Sequence, residues 1–497
     1  MRHDADVSLV LEGTYPYVPG GVSSWVHDLV RGLPEHTFAL DHLGPQRGAY
    51  GKPRYELPAN ITGFAERYLH DGEVPRDLER RIRKVRHAPP RTSAMLEGIR
   101  RLHLDDTIDD ALITDLATPD LTVEELLHGD EAFDVIAEVY RVHGGGAPFV
   151  DFFWHFRSAH VPLVRLLAGD VPAARVYHSV STGYAGVVAA VASKRSGRPM
   201  LLTEHGIYAR ERDMELSRAT WIKEPEHDPR MPVEATSPLR RFWSRFFRRM
   251  SQVSYHQAAR IITLSEANRN KQLADGADVA RTAIVANGVD VGHLVEQIGA
   301  PIARGPGEPL RVGFVGRVVP IKDVISFVKA CDIALRDVRL DIRIIGPDDE
   351  DAAYAARCKE LVGSLGREQE IQFVGPKRLG EIYGQVDVVV LTSFSEGQPL
   401  VILEAHAAGV PCIATDVGAC RELLEGREPA DRRLGPSGFV TQVGAPDQTA
   451  AAIVRLARDH ELRRRMGAAG RARVQASYTK AQMLDAYRGL YRELGRA

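Results

Sequence analysis

Cysteine is scarce in this chain of 497 residues. Its four cysteines show no CxxC spacing, which excludes a disulfide framework and indicates buried thiols in a reducing compartment. Runs of about 18 apolar residues are missing, so no membrane-spanning helix is predicted. The first residues also lack an apolar stretch of signal-peptide length. We therefore expect a cytoplasmic protein.

The chain also lacks an excess of charge of either sign. Lysine and arginine together number 64 and the acidic residues 66, a formal charge of −2, so nothing in the overall charge favours a nucleic-acid partner. Apolar residues make up 44% of the chain, as in globular proteins with large cores. Because an average domain has about 150 residues, this length predicts at least two domains.

Short apolar runs alternate with helical patterns over most of the chain. Charged helical stretches without clear strands predict a mostly helical insertion over about 48–146, and the Gly- and Pro-rich segment Gly299–Pro309 predicts a linker. The βαβα alternation beyond it is typical of a parallel sheet covered on both faces. The predicted strands are 7–11, 174–178, 200–203, 260–264, 282–285, 310–315, 340–345, 370–374, 386–391, 411–415 and 438–441.

The fold class predicted is therefore α/β, with two Rossmann-like domains and a site in the cleft between them. We place the first domain at 1–300 and the second at 308–477. The helical pattern at 478–497 is expected to pack back toward the first domain.

Two glutamates in the second domain form the clearest constellation. Glu396 and Gly397 follow an apolar strand, and a helix is predicted to start near Pro399. Glu404 would then lie more than a turn inside that helix. The two carboxylates could accept hydrogen bonds from sugar hydroxyls at two points. The alternative is one carboxylate that favours the helix dipole and one exposed glutamate.

Two cations form the second constellation. Arg317 and Lys322 follow the strand that ends at Gly316, near the start of the next helix. Arginine can bind two oxygens in a fork and lysine adds a mobile charge, so this pattern suits a diphosphate. Unspecialised surface cations are the alternative. Neither a Walker loop nor a GxGxxG fingerprint occurs.

The first domain offers a histidine and two adjacent glycines. His205 follows a predicted strand, where it could donate a hydrogen bond or carry a proton, although a structural histidine is the alternative. Gly20 and Gly21 precede a helix and would let a ligand approach the backbone, unless they form a plain turn. No HExxH pattern occurs, and no metal is predicted.

An amphipathic basic helix is predicted over Leu239–Met250. Its apolar residues recur at helical spacing with five arginines between them. Such a helix could lie on an anionic membrane, dock on a membrane partner, or pack into its own domain.

These motifs resemble those of retaining glycosyltransferases of the large glycogen-synthase-like family, which have the GT-B fold. The resemblance covers roughly 310–425 and includes Phe373–Gly375 and Thr415–Gly418. Three N-terminal segments resemble the PelF-type transferases of Pel exopolysaccharide synthesis: Glu12–Trp25, Asp151–His160 and Thr203–Leu216.

The resemblance implies a UDP-sugar donor, a polysaccharide acceptor, an inner-membrane synthesis complex as a candidate partner, and no metal or other cofactor. Arg317 and Lys322 would neutralise the diphosphate, and Glu404 would hold the ribose. The other implied donor contacts are Glu396, His205, Gly20, Gly21, Gly316, Gly397, Gln398 and Leu400. The alternatives are a nucleotide-sugar epimerase or phosphorylase of the same fold, or a UDP-binding subunit without activity.

Overall fold

Parallel strands separated by helices recur along the computed structural model, which describes residues 5–70, 78–86, 92–222, 237–298 and 307–496. The chain divides into two units. The first comprises Met1–Thr263, Arg269–Ala283 and Tyr487–Ala497, and the second comprises Leu264–Asn268 and Ile284–Ala486. Most of the predicted linker, residues 299–306, lies outside the described residues.

Seven strands form the first sheet in the described part of the chain. They are β1 (Ala5–Glu12), β2 (Phe38–Gln46), β3 (Ile61–His70), β4 (Ala174–Ser179), β5 (Met200–Glu204), β6 (Ala258–Thr263) and β7 (Thr282–Ile284). The helices among them are α1 (Gly21–Gly32), α2 (Leu78–Arg86), α3 (Ala94–Leu104), α4 (Asp110–Leu116), α5 (Val123–His128), α6 (Asp130–His143), α7 (Phe149–Ala168), α8 (Tyr184–Ser196), α9 (Tyr208–Arg218), α10 (Pro238–Gln257) and α11 (Glu266–Ala274).

The first sheet has the order β3-β2-β1-β4-β5-β6-β7. Strands β2 and β3 lie on one side of β1, and β4 and the later strands lie on the other side. The loops after β1 and β4 therefore diverge at the centre of the carboxyl edge, the place where open α/β sheets bind ligands. Residues Val7–Leu11 of β1 include four fully buried apolar side chains, as expected for a central strand covered on both faces.

The region predicted as mostly helical carries α2 to α6 in the described residues, but it also contains a strand that the sequence did not predict. Strand β3 pairs in parallel with β2 and lies at the edge of the sheet. Its residues alternate between exposed and half-buried, and Glu66 and Arg67 interrupt its apolar pattern. An edge strand buries too little apolar surface to show a clear signal in the sequence.

The amphipathic basic helix, now α10, packs into the core of its own unit. Its predicted apolar stripe is at most 9% exposed at every position. Two of its arginines are also buried. The guanidinium of Arg240 donates to the carbonyl of Ala219 at 2.9 Å, and that of Arg249 donates to the carbonyl of Leu102 at 2.9 Å. The apolar face is thus not available to a membrane or a partner.

The second unit contains a sheet of six strands within the described residues. They are β8 (Leu310–Val315), β9 (Leu340–Ile345), β10 (Ile371–Phe373), β11 (Val388–Leu391), β12 (Cys412–Thr415) and β13 (Gly438–Thr441). The accompanying helices are α12 (Val291–Ile298), α13 (Val324–Leu335), α14 (Ala352–Ser364), α15 (Leu379–Tyr383), α16 (Leu400–Ala407), α17 (Cys420–Glu425), α18 (Pro429–Arg432), α19 (Pro446–Arg458), α20 (His460–Ser477) and α21 (Lys480–Leu494).

All five pairings in this sheet are parallel, in the order β10-β9-β8-β11-β12-β13. Alternate residues of β11 enter two separate cores: Val388 and Val390 pack on one face, and Val389 and Leu391 on the other. The sheet is therefore covered on both faces, as the continuous apolar runs predict. The strand order reverses between β8 and β11, so the loops after these two strands flank the switch point.

The last part of α21, from Tyr487 onward, belongs to the first unit. The hydroxyl of Tyr491 lies 2.8 Å from Nδ1 of His178, and the hydroxyl of Tyr487 lies 3.0 Å from Oγ1 of Thr203. In the described part of the chain, no helix combines the length and the apolar character that crossing a bilayer requires.

Candidate functional site

A salt bridge joins the two loops at the switch point of the second sheet. Nζ of Lys322, in the loop after β8, lies 2.6 Å from Oε1 of Glu396, in the loop after β11. The hydroxyl of Ser393 donates to the same oxygen at 2.6 Å. The side chains of Lys322 and Glu396 are only 23% and 10% exposed. The two constellations predicted from the sequence therefore form one site, with Ser393 as a partner that the sequence did not single out.

Further hydrogen bonds hold the two loops together. The hydroxyl of Thr392 donates to the carbonyl of Asp323 at 2.8 Å, and the amide of Phe394 donates to the carbonyl of Ile321 at 2.9 Å. Asp323 caps α13 through a hydrogen bond from the amide of Ser326 and has a left-handed backbone, with φ of 46°. The loop around Lys322 is thus fixed on both sides of the lysine.

A third loop, after β12, presses against the Glu396 loop. Gly418 has φ of 52°, and a Cβ there would lie 2.1 Å from the carbonyl oxygen of Glu396. The amide of Ala419 donates to the carbonyl of Gly397 at 2.8 Å. Only glycine permits this close approach of two backbones at a positive φ. Gly418 therefore helps to set the position of Glu396 and Gly397.

Arg317 is more exposed than Lys322 and is also paired. Its guanidinium donates to Glu350 at 2.6 Å, and both side chains are 52% exposed. The backbone before it is fixed, because a Cβ on Gly346 would lie 2.0 Å from the carbonyl oxygen of Gly316. Both predicted cations thus have a carboxylate partner in this structure. Glu350 was not predicted, since it lies in an acidic run that is typical of a solvated loop.

Glu404 lies in the second turn of α16, as the sequence predicted. Its Oε2 accepts a hydrogen bond from the hydroxyl of Tyr383 at 2.6 Å. Burial raises the pKa of Glu404, and the tyrosine hydrogen bond partly offsets this effect. Tyr383 gave no signal in the sequence, because it precedes Glu404 by 21 residues and lies on another helix.

Gln398 and Leu400 lie at the start of α16. Gln398 is 6% exposed, and its Oε1 accepts a hydrogen bond from the amide of Asn287 at 2.6 Å. In the described part of the protein, Nε2 of Gln398 and Oδ1 of Asn287 are buried without a hydrogen-bond partner. The contact between Asn287 and Gln398 was not predicted from the sequence.

His205 lies in the first unit, just after β5. Its ring is 4.6 Å from that of Trp25, edge to face. Burial lowers the pKa of His205 to about 4, so the imidazole is neutral at pH 7. This environment favours a hydrogen-bonding role over a cationic one.

A buried carboxylate supports the turn that carries His205. Glu204 accepts hydrogen bonds from the hydroxyls of Thr182 and Tyr255, the amide of Tyr208 and Nε2 of Gln272. Four donors to one carboxylate fix the end of β5 and the following turn. This role of Glu204 was not predicted from the sequence.

Gly20 and Gly21 are exposed at the start of α1. Gly20 has φ of 165°, an extended conformation that any residue can adopt, and a Cβ at either glycine would meet nothing within 4 Å. The protein's own packing therefore requires neither glycine. They lie in the first unit with His205, whereas the other predicted site residues lie in the second. Across the described ranges, no group of three or more His, Cys, Asp and Glu side chains could hold a metal ion.

Comparison with known proteins shows which protein family this chain belongs to. Residues 302–473 match the family model described as glycosyl transferases group 1, and residues 5–280 match a domain of unknown function, DUF3492. The latter covers more than half of the chain. The chain therefore belongs to the glycosyl transferase group 1 proteins that carry the DUF3492 domain.

Curated relatives match only part of the chain. The D-inositol 3-phosphate glycosyltransferase of Geodermatophilus obscurus is 34% identical over 199 residues, which cover 35% of this chain and 44% of that protein. The N-acetyl-alpha-D-glucosaminyl L-malate synthase of Bacillus anthracis is 28% identical over 172 residues, which cover 34% and 42%. The chain thus spans less than half the length of each.

Solved structures match along nearly the whole chain. Sucrose-phosphate synthase from Thermosynechococcus elongatus has a TM-score of 0.57 at 17% identity and covers 98% of this chain and 99% of its own. Anabaena HepE, solved in complex with UDP and glucose, has a TM-score of 0.57 at 15% identity and covers 98% and 100%. The predicted fold is confirmed: two Rossmann-like units of the GT-B class.

Proposed function

We propose that this protein is a retaining glycosyltransferase that moves a hexose or N-acetylhexosamine from a UDP-sugar to a growing polysaccharide. The observation that carries this proposal is the Lys322–Glu396 pair at the switch point of a glycosyl transferase group 1 domain. The Pel-type acceptor and an inner-membrane synthesis complex as partner follow from the resemblance of the N-terminal segments. The proposed cytoplasmic location, peripheral to that membrane, is supported by the four buried free cysteines.

In this proposal the diphosphate binds beside Lys322 and Arg317. A lysine ammonium has three donors, so Lys322 can keep its hydrogen bond to Glu396 and still donate to phosphate oxygens. Within the described residues, Arg317 forms an ion pair only with Glu350, and both side chains are exposed, so phosphate can replace the carboxylate at little cost. The first-turn amides of α16 add hydrogen-bond donors near Gln398 and Leu400.

The remaining donor contacts follow the sequence prediction. Glu404 binds the ribose hydroxyls, and Glu396 contacts the sugar beside Gly397. Gly316 leaves room for the phosphates. His205, Gly20 and Gly21 of the first unit contact the donor, and the neutral imidazole of His205 exchanges a hydrogen bond with a sugar hydroxyl.

The proposed reaction proceeds on one face of the sugar. The bond from the anomeric carbon to the β-phosphate oxygen breaks, and the acceptor hydroxyl forms the new glycosidic bond on the same face. The hydroxyl proton passes to the departing phosphate. Negative charge grows on that phosphate in the transition state, so Arg317 and Lys322 stabilise the transition state more than the ground state. No metal is needed if these cations neutralise the charge.

The first test is a binding screen of UDP-, GDP- and ADP-sugars. The second determines the anomeric configuration of the product and compares the activity with and without EDTA. The proposal expects selective UDP-sugar binding, retention of configuration and full activity in EDTA. Incubation of the donor without an acceptor separates the alternatives. Equilibration of the sugar would identify an epimerase, phosphate-dependent cleavage of the polymer a phosphorylase, and binding without turnover a non-catalytic subunit.

A further inference from the structure

A buried tyrosine anchors the carboxylate that the proposed function assigns to the ribose. The hydroxyl of Tyr383, at the end of α15, donates to Oε2 of Glu404 at 2.6 Å. Tyr383 is 3% exposed and packs in the same core as α16. Burial and the neighbouring Glu404 raise the pKa of Tyr383 far above its usual value, so the hydroxyl stays protonated and can only donate to this carboxylate.

The second oxygen of Glu404 retains its capacity to accept hydrogen bonds. Within the residues that the structure describes, Tyr383 is the only group that donates to this carboxylate. An ionised carboxylate offers about four lone-pair positions, so one hydrogen bond fixes the side chain and leaves Oε1 for a ligand. A ligand diol can then meet an acceptor whose orientation is already set.

We propose that Tyr383 is a positioning residue for nucleoside recognition: its hydroxyl holds Glu404 in the orientation that accepts hydrogen bonds from the ribose hydroxyls. This inference rests on the proposed function, because it assumes that Glu404 binds the ribose. Within the described residues, the hydroxyl of Tyr383 has hydrogen-bond partners only in Glu404 and the carbonyl of Val401 near the start of α16. Its effect on the nucleotide passes through the carboxylate and should discriminate ribose from deoxyribose.

The charge state of Glu404 gives the hydroxyl a second effect. Burial raises the pKa of Glu404, and the hydrogen bond from Tyr383 opposes that rise. Without the hydroxyl, the pKa of Glu404 rises further. A protonated carboxyl accepts fewer hydrogen bonds, so UDP binding should then decline at a higher pH than in the wild type.

The experiment is calorimetric titration with UDP, 2′-deoxy-UDP and 3′-deoxy-UDP at pH 8, using the full chain and its Tyr383→Phe variant. The dissociation constant for UDP should rise about tenfold, the usual effect of losing a hydrogen bond to a charged group. The deoxy analogue that lacks the contacted hydroxyl should lose less affinity in the variant. The preference for UDP over that analogue should therefore fall by a similar factor. Donor KM should follow the dissociation constant, with kcat within about twofold.

Tyr478→Phe is the matched control, because Tyr478 lies in the same core and is 5% exposed, and among the described residues its hydrogen bonds are backbone ones to Val289 and Val474. It should bind UDP like the wild type. If Tyr383→Phe melts well below this control, Tyr383→Met replaces it, since methionine adapts to an irregular core and lacks the hydroxyl.

Three results would overturn the inference. They are unchanged UDP affinity in the Tyr383 variants, an equal loss of affinity for all three nucleotides, or a decline of UDP affinity at the same acidic pH as in the wild type. In each case, UDP binding by the wild type and its loss in Glu404→Ala would leave the proposed function intact. A wild-type protein that does not bind UDP would reject the proposed donor and this inference together.

Discussion

Lys322 and Glu396 are 74 residues apart in the chain, yet their side chains meet at 2.6 Å. The parallel pairing of β8 with β11 brings the two loops to one edge of the sheet. Ser393 binds the same carboxylate oxygen, so the lysine is oriented before any ligand arrives. An oriented cation costs less reorganisation when phosphate binds, and this is the arrangement that electrostatic catalysis requires.

Arg317→Ala should lower kcat by about 10²–10³-fold, because in the proposed mechanism the arginine stabilises the negative charge that grows on the departing phosphate. Its exposed pair with Glu350 should add little to stability, so the melting temperature should stay close to that of the wild type. Steady-state transfer assays and thermal melts measure both. Arg464→Ala is the control, because Arg464 is also exposed and forms a pair with Glu461 on α20. Normal turnover in a folded Arg317 variant would remove this residue from the mechanism.

Glu350→Gln should lower the donor KM by about two- to fivefold, the range expected for an exposed ion pair. If Arg317 binds the donor phosphate as proposed, loss of the Glu350 charge frees the guanidinium before the donor binds and leaves the chemical step unaltered. The measurement is donor KM and kcat at low ionic strength, repeated in high salt, where the gain should shrink. An unchanged or higher KM would show that Glu350 does not compete with the donor.

Gly20→Ala/Gly21→Ala should fold normally and bind the donor poorly. A methyl group meets nothing within 4 Å at either position, so any loss must come from a ligand. We expect donor KM to rise about tenfold or more, the effect of one misplaced methyl group in a binding site. Gly489→Ala is the control, because its Cβ is equally free in α21 and removing a helix glycine should raise stability by about 1 kcal/mol. Wild-type KM in the double variant would place these glycines outside the site.

Acidification should destabilise the fold through its buried neutral histidines. Burial lowers the pKa of His178 and His406 to about 3 and of His160 and His205 to about 4. Below about pH 6.5, the unfolded chain therefore binds more protons than the folded protein. The contribution of these histidines to the free energy of unfolding is fully present above that pH and declines toward pH 4.

His406→Leu should reduce the slope of the unfolding free energy against pH by the equivalent of about one proton. The ring of His406 is fully buried and, in the described part of the protein, neither ring nitrogen has a hydrogen-bond partner. Urea unfolding between pH 7.5 and 5 gives the slope. A slope identical to that of the wild type would contradict the assignment.

Most strands and the motifs at their carboxyl ends could be predicted from the sequence, but the contacts that depend on packing could not. The strands β8, β9 and β13 have the predicted bounds. Strands β8 and β9 are central, and central parallel strands are rich in apolar residues. Two strands were missed: β3, which lies at the edge, and β2, which is central but has Asp41 and His42 within its apolar run. Lys322 and Glu396 could be assigned to the same domain, because each follows an apolar strand of one parallel sheet; their direct contact was not predicted. Tyr383 and Glu350 could not be assigned, since their contacts depend on helix packing and on a loop conformation that no residue spacing reveals.

The most direct test of the diphosphate site compares calorimetric binding of UDP and uridine in the wild type and in Arg317→Ala/Lys322→Ala. If these cations hold the diphosphate, the wild type binds UDP at least about a hundredfold more tightly than uridine, since each charge-assisted contact adds about 1.5–3 kcal/mol. The double variant should bind both ligands with nearly equal, weak affinity. An undiminished preference for UDP in the folded double variant would show that the diphosphate binds elsewhere.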